Sequence, residues 1–337
     1  MRDFVSDYNN VNLYPIISNL ISIDKIVFEV FKNSDRCYNF DYKEVIIKSY
    51  LEYDKTTEIK KVLTDEGLDI EEYLHSFKII INPAKYLFKS NFYTITLEHL
   101  RDIVKNIKNK FNLDILEGII RRLDLQCIIS VKHPAENYFK DLGNFKNFDR
   151  SVKKTSLYYK SKSKSKYKTF LIYDKKKEER NFLKEFQYGE YMRLEWQYYN
   201  RFLKTMLKKH GYNQMKIKDL FNFSIFKNLI DIWISDYRAI NKKVSSLIDM
   251  SKIKKPSDLD NMLINIGIDH IGGVTELEDL INRSRVDNSR RDFYSKLKRR
   301  YRDKAKDTNF TYESVLIKEL NEKVEFAYQN TMNFLGI

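Results

Sequence analysis

Three stretches of this chain alternate apolar and polar side chains with the two-residue period of a half-buried β-strand: IIRRLDLQCIISV (119–131), KTFLIYDK (168–175) and YMRLEWQYY (191–199). In the first, Leu123, Leu125, Cys127 and Ile129 share one face and leave Arg122, Asp124 and Gln126 on the other. In the third, Met192, Leu194 and Trp196 oppose Arg193, Glu195 and Gln197. In the middle stretch, Phe170 and Ile172 oppose Leu171 and Tyr173. If the three are neighbours in one antiparallel sheet, Asp124, Tyr173 and Glu195 converge on a single exposed surface.

The surrounding pattern frames that sheet. SIDKIVFEVF (22–31), VIIKSYLEY (45–53) and SFKIIIN (76–82) read as further strands, the last stopped by Asn82-Pro83. TLEHLRDIVKNIKNKF (96–111) places Leu97, Leu100, Ile103, Val104, Ile107 and Phe111 on one helical face, with Thr96 as N-cap. From about residue 203 the periodicity turns helical, and Ser257 with Asp260 and Thr275 with Glu278 have capping-box spacing. The expected architecture is α+β: a twisted, mainly antiparallel sheet domain with flanking helices over 1–205, followed by a helical region over 206–337.

Charge narrows the partner. The chain carries a formal net charge of +14 with pI near 9.3, which favours a polyanion through long-range attraction and counterion release. Residues 150–180 hold 12 Lys or Arg against three acids, interleaved with Tyr158, Tyr159, Tyr167 and Phe170. Lys153, Lys154, Lys162, Lys164, Lys166 and Lys168 can meet phosphates there while aromatic rings stack on unpaired bases. The segment SKSKSKYK leads directly into the strand of Tyr173, so a phosphate-attracting loop is expected beside that residue. A second cluster, 283–306, has 11 Lys or Arg against three acids; Arg290, Arg291, Lys298, Arg299 and Arg300 suit a helix laid along DNA, the second element of a helix-turn-helix. Both runs also fit plain solvated surface.

Other classes are excluded by what the sequence lacks. No apolar run approaches a membrane span, and the opening Arg2-Asp3 is not followed by a secretory core and cleavage site, so a cytoplasmic protein is expected. Cys37 and Cys127 are too few for a disulfide scaffold or a zinc cluster. His75, His99, His133, His210 and His270 form no metal-binding pair, and phosphate-binding loops and nucleophile elbows are missing.

Tyr173 is a candidate nucleophile. A phenol of pKa ~10 needs a nearby cation or metal to act at neutral pH. Lys175, Lys176 and Lys177 follow it closely, and Asp124 and Glu195 are oxygen donors suited to Mg²⁺ or Mn²⁺. Spacing alone leaves a second account open, in which Tyr173 is one of 24 tyrosines and the two acids pair with Arg122 or Arg193.

The ordered segments INPAKYL (81–87), IIRRLDL (119–125), SVKKTSLYY (151–159), FLIYDKKKEER (170–180) and YMRLEW (191–196) resemble the rolling-circle replication initiators of the Rep_trans class. The resemblance covers roughly residues 75–200. It implies that Tyr173, with Lys175 and Glu178 in step, attacks the nick site at an origin hairpin, and that Asp124 and Glu195 bind the metal. Relatives often carry a second acid four residues after the aspartate, where this chain has Ile128; Glu178 is the candidate to fill that place. The resemblance further implies a homodimer and a host helicase partner. The rival function is a non-catalytic DNA-binding regulator. A tyrosine recombinase is disfavoured, because no spaced Arg-His-Arg set is present.

Overall fold

The computed structural model describes residues 19–50, 55–163, 165–178, 189–209, 211–242, 244–246, 250–284, 291–305 and 311–336. Ten strands form one sheet: β1 (Ser22–Phe31), β2 (Tyr42–Tyr50), β3 (Lys55–Val62), β4 (Leu68–Glu72), β5 (Ser76–Ile81), β6 (Ile119–Val131), β7 (Phe148–Lys153), β8 (Ser156–Ser161), β9 (Lys168–Asp174) and β10 (Glu190–Tyr199). Their spatial order is β2-β3-β4-β5-β1-β6-β10-β9-β8-β7, with every neighbouring pair antiparallel. The α+β expectation holds, and the three alternating stretches lie side by side as β6, β10 and β9.

The alternation decides how the sheet is covered. Ile26 of β1 lies opposite Ile81 on one side and Leu123 on the other, so the apolar residues of β5, β1 and β6 share a face. Helix α1 (Pro83–Phe88) follows β5, with Asn82 as N-cap accepting from the Lys85 amide. Helix α2 (Leu97–Phe111) buries Leu100, Ile103, Val104, Ile107 and Phe111, as the periodicity predicts, and Thr96 and His99 cap its start reciprocally. Phe40 bridges Phe111 of α2 to Phe77 of β5.

Beyond β6, a further set of helices completes the cover: α3 (Ala135–Phe139), α4 (Lys175–Glu178), α5 (Asn200–Lys208), α6 (Phe223–Arg238), α7 (Pro256–Ile271), α8 (Val274–Arg283), α9 (Arg291–Lys304) and α10 (Val315–Phe334). Trp233 of α6 meets Phe170 edge-on and donates its indole N–H to the Leu125 carbonyl at 3.2 Å. Phe170 in turn stacks on Trp196, with ring centroids 4.4 Å apart. Helix α10 packs on β6, where Glu319 accepts from the Lys132 amide and the Tyr138 hydroxyl. Its Thr331 hydroxyl accepts from the Ile21 amide at 2.8 Å, joining positions 310 residues apart. No helix among the described residues is long and apolar enough to cross a membrane.

Several expectations are corrected. β3, β4, β7 and β8 are strands that the pattern did not reveal, because they are short or carry many charges; β7 is an edge whose residues are mostly exposed, where charge discourages pairing with another chain. A small ladder of β11 (Val244–Ser246) with β12 (Thr311–Glu313) interrupts the helical half. Helix α7 starts at Pro256, with Lys255 and not Ser257 at the N-cap position and its amide donating to Asp258, and α8 follows Gly273, so Thr275 accepts from the Asn144 amide instead.

Phe170→Ala is expected to cost about 3–5 kcal/mol, because a fully buried ring is removed from a stack that cannot collapse around the gap. The urea midpoint of the variant measures it.

Candidate active site

The polar face of the sheet brings the predicted residues together. Tyr173 lies directly opposite Arg193, Glu195 opposite Gln126, and Gln197 opposite Asp124. On the far side of β6, Lys25 pairs with Asp124, and a register shift between Ile23 and Lys25 accommodates Asp24. One oxygen from each of Asp24, Asp124 and Glu195 lies within 4.8 Å of the other two. All three acids are buried.

Two arginines hold these carboxylates. Arg193, 1% exposed, pairs with Asp24 and lies 3.4 Å from Glu195 through Nε. Its guanidinium also sits 5.7 Å from the centroid of the Tyr173 ring. Arg122 donates through Nε to Asp124 Oδ1 at 2.7 Å, and Gln197 Nε2 donates to Glu195 Oε1 at 2.8 Å. Three carboxylates against two guanidiniums leave this buried patch one negative charge in excess when all are ionised. Burial pushes the Asp124 carboxyl up to about 8, against the opposing pull of Arg122. Glu195 is raised for the same reason, with Arg193 opposing. In Arg193 itself burial acts to lower the pKa, but Asp24, Tyr173 and Glu195 outweigh it, and the cation stays charged.

The Tyr173 hydroxyl donates to Glu195 Oε2 at 3.4 Å. Burial raises the phenol well above its ordinary range, Arg193 lowers it, and Glu195, Glu178 and Asp24 raise it further. The expectation that neighbouring lysines hold this group low is therefore overturned: the resting residue is a neutral phenol. The acids and the ring floor a cleft of about 650 Å³, walled by Asn82, Lys85, Asn91, Tyr158 and Lys177 among others. The patch is thus recessed and not openly exposed, as the alternation alone suggested.

An oxygen-only donor set with excess negative charge suits a hard divalent cation such as Mg²⁺ or Mn²⁺. On the same face, Gln126 Oε1 is buried without a hydrogen-bond partner, a further oxygen directly across from Glu195. Asp24, Asp124 and Glu195 are the residues that would hold the ion.

Other predicted residues are placed differently. Lys175 is fully buried, donating to Asn91 Oδ1 and Glu178 Oε2, and lies over the Phe92 ring. Glu178 is engaged with that lysine and is absent from the group of three acids. β8 ends at Ser161 and β9 begins at Lys168, so the Lys/Ser segment enters β9 five residues and on the order of 17 Å of strand from Tyr173. The basic turn next to Tyr173 is instead Lys153-Lys154, whose neighbours Thr155 and Ser156 line the cleft. Lys168 points to the apolar face, where it pairs with Asp236 of α6 at 2.6 Å and covers Trp196 and Phe202; it is a packing residue and not a phosphate contact. Lys162 and Lys166 are exposed. Lys164 and Arg290 lie outside the described residues. Helix α9 presents Arg291, Arg299 and Arg300 to solvent, while Lys298 donates to Asn282 of α8.

Sequence reading missed Asp24; the pairing of the two acids with Arg122 and Arg193, which it left as the second account, is present as Arg122–Asp124 and Arg193–Glu195. The signal for Asp24 was the adjacent charged pair Asp24-Lys25, where two polar residues in succession break the alternation of the strand.

No protein-family model matches the chain, and no curated protein sequence matches it. Among solved structures, it is similar to a rolling circle replication initiator protein from Geobacillus stearothermophilus, with 13% identity, a TM-score of 0.33, and coverage of 63% of this chain and 84% of that one.

A carboxyl whose folded pKa is raised adds stability that is complete below its unfolded value of ~3.9 and is lost as pH climbs through about 8. The metal-free protein should therefore soften across that window, while Mn²⁺ binding strengthens as Asp124 ionises. Saturating Mn²⁺ should raise Tm by about 5 °C at pH 8, less at pH 6, and not at all in Asp124→Asn; differential scanning fluorimetry reads all three.

Proposed function

We propose that this chain is a metal-dependent DNA strand transferase that initiates rolling-circle replication by nicking one strand at an origin. The observation that carries the reading is the Tyr173 hydroxyl, 3.4 Å from Glu195 and beside the Arg193 guanidinium, above a buried group of three acids. Glu195 accepts the phenolic proton, and Arg193 stabilises the phenolate that results. The phenolate oxygen attacks the scissile phosphorus, the P–O3′ bond breaks, and the leaving oxygen takes up a proton as a 3′-OH that primes synthesis. The 5′ phosphate stays on Tyr173 until the 3′-OH of a later strand reverses the transfer and closes the circle. Asp24, Asp124 and Glu195 would hold Mg²⁺ or Mn²⁺, which when bound would supply positive charge to the scissile phosphate.

The regulator reading explains less. A protein that only holds DNA gains nothing from three buried carboxylates facing the groove, since they repel phosphate unless a cation is bound. Lys153, Lys154, Lys162 and Lys166 with the exposed face of α9 make up the phosphate-binding surface. The region from 206 onward is assigned to origin recognition, and a homodimer working with a host helicase follows from the family resemblance.

Incubating the protein with a 3′-labelled origin strand and Mn²⁺ should give a covalent adduct on a denaturing gel, and Tyr173→Phe should abolish it. Strand affinity should stay within about two-fold, since only a hydroxyl is removed. An adduct that survives in Tyr173→Phe removes this residue as nucleophile.

The two classes of lysine should also separate. Lys153→Ala with Lys154→Ala should reduce the slope of log affinity against log salt by about 1.4 on single strands. Lys168→Met should leave that slope unchanged while lowering the urea midpoint, because Asp236 loses its partner.

A further inference from the structure

Besides Tyr173, three tyrosines stand on the polar face with half-buried rings, and one of them, Tyr191, is packed edge-on against Phe92. Tyr158 of β8 shares a register row with Leu171 and Glu195 and lines the cleft. Tyr199 ends β10, past Gln197 and directly opposite Arg122. Each of these two rings is attended by two cations: Lys153 and Lys160 lie 5.1 and 5.8 Å from the Tyr158 centroid, and Arg122 and Lys166 both lie 5.7 Å from that of Tyr199. The other aromatics of the basic segment are spent elsewhere. Tyr159 and Phe170 are fully buried on the opposite face, and Tyr167 packs edge-on against Phe202.

We propose that Tyr158 and Tyr199 are stacking platforms for two unpaired bases of the strand that crosses the cleft. The inference rests on the reading of this cleft as a strand-transfer site and adds what holds the strand there. A half-exposed ring offers a sequence-tolerant face to any base. The lysines around it are exposed and on flexible stems, and a cation over an exposed ring is held weakly. A base that displaces one of them leaves its ammonium next to the flanking phosphate, so the displacement is not a loss of charge pairing. Arg122 differs, because Asp124 fixes its guanidinium. It supports the Tyr199 ring while Lys166 gives way. By strand geometry the two rings are separated by two inter-strand spacings and about four residues, on the order of 16 Å, a span of a few nucleotides. Duplex DNA keeps its bases stacked on one another and cannot use these platforms, so the cleft selects a melted or hairpin-tip strand without reading its sequence.

The test uses the full chain carrying Tyr173→Phe, so that binding is measured without cleavage, and a fluorescein-labelled oligothymidylate as probe. Anisotropy titrations should show Tyr158→Ala and Tyr199→Ala each weakening binding roughly ten-fold, and the pair roughly a hundred-fold. Tyr158→Phe and Tyr199→Phe should bind within about two-fold of the parent, because stacking needs the ring and not the hydroxyl. Affinity for a duplex of the same length should not change. Where an alanine variant melts more than a few degrees early, the leucine variant, which keeps apolar bulk without a π-face, replaces it with the same expected loss. Unchanged affinity in the alanine or leucine variants, or phenylalanine variants as weak as alanine, overturns the platforms. The adduct assay on the chain with Tyr173 intact separates the two readings: single-strand affinity unchanged by loss of the rings, with adduct retained, removes only the platforms, and ring-dependent binding with no adduct removes only the nicking chemistry.

Discussion

A guanidinium with almost no contact with water organises this molecule. Arg193 is tolerated in the interior only because Asp24, Glu195 and the face of Tyr173 surround it, and those groups come from β1, β10 and β9. A charge that deep is costly unless its partners are complete, and removing one partner exposes the others to the full desolvation penalty. The strand order β1-β6-β10-β9 is what supplies all of them at once. The sheet therefore serves as a clamp for one cation, and the acids gathered around that cation are a group that could hold a second, divalent one.

Charge is sorted by depth. The Lys153-Lys154 turn beside the cleft and the exposed face of α9 are basic, Glu66, Asp69 and Glu178 stand with Lys177 on the cleft's outer wall, and the floor gathers Asp24, Asp124 and Glu195 around two arginines. On the proposed function, the outer lysines would draw a polyanion in from a distance, and the buried carboxylates would oppose its phosphates unless a cation were held among them. Binding and chemistry are thereby placed under separate electrostatic control. The raised Asp124 carboxyl belongs to the same arrangement, since a proton stands in for the missing positive charge.

Much of this was legible in the sequence because the two-residue period is a geometric rule: once Leu123, Phe170 and Trp196 are assigned to the core, Asp124, Tyr173 and Glu195 have only one face left to occupy. What escaped was whatever breaks the period. Asp24 reaches the site through a bulge, and Arg193 looks like a solvent-facing residue until its register partner is known. Lys168 was misassigned because composition cannot tell which face a lysine takes; its even register with Phe170 sends it to the apolar side. The Lys/Ser loop was misplaced for a related reason. Proximity along the chain is not proximity in space when a seven-residue strand lies between. The charged strands at the sheet margins had no apolar stripe to betray them.

The hydrogen bond between Ile21 and Thr331 has a kinetic meaning. It ties the start of the strand bearing Asp24 to a helix 310 positions away, and pairings of that kind are closed late and slowly because so much chain entropy is lost in making them. A nascent or proteolysed fragment would lack a fixed β1, and with it the full ring of acids. The group of three acids is then complete only once positions 21 and 331 have met.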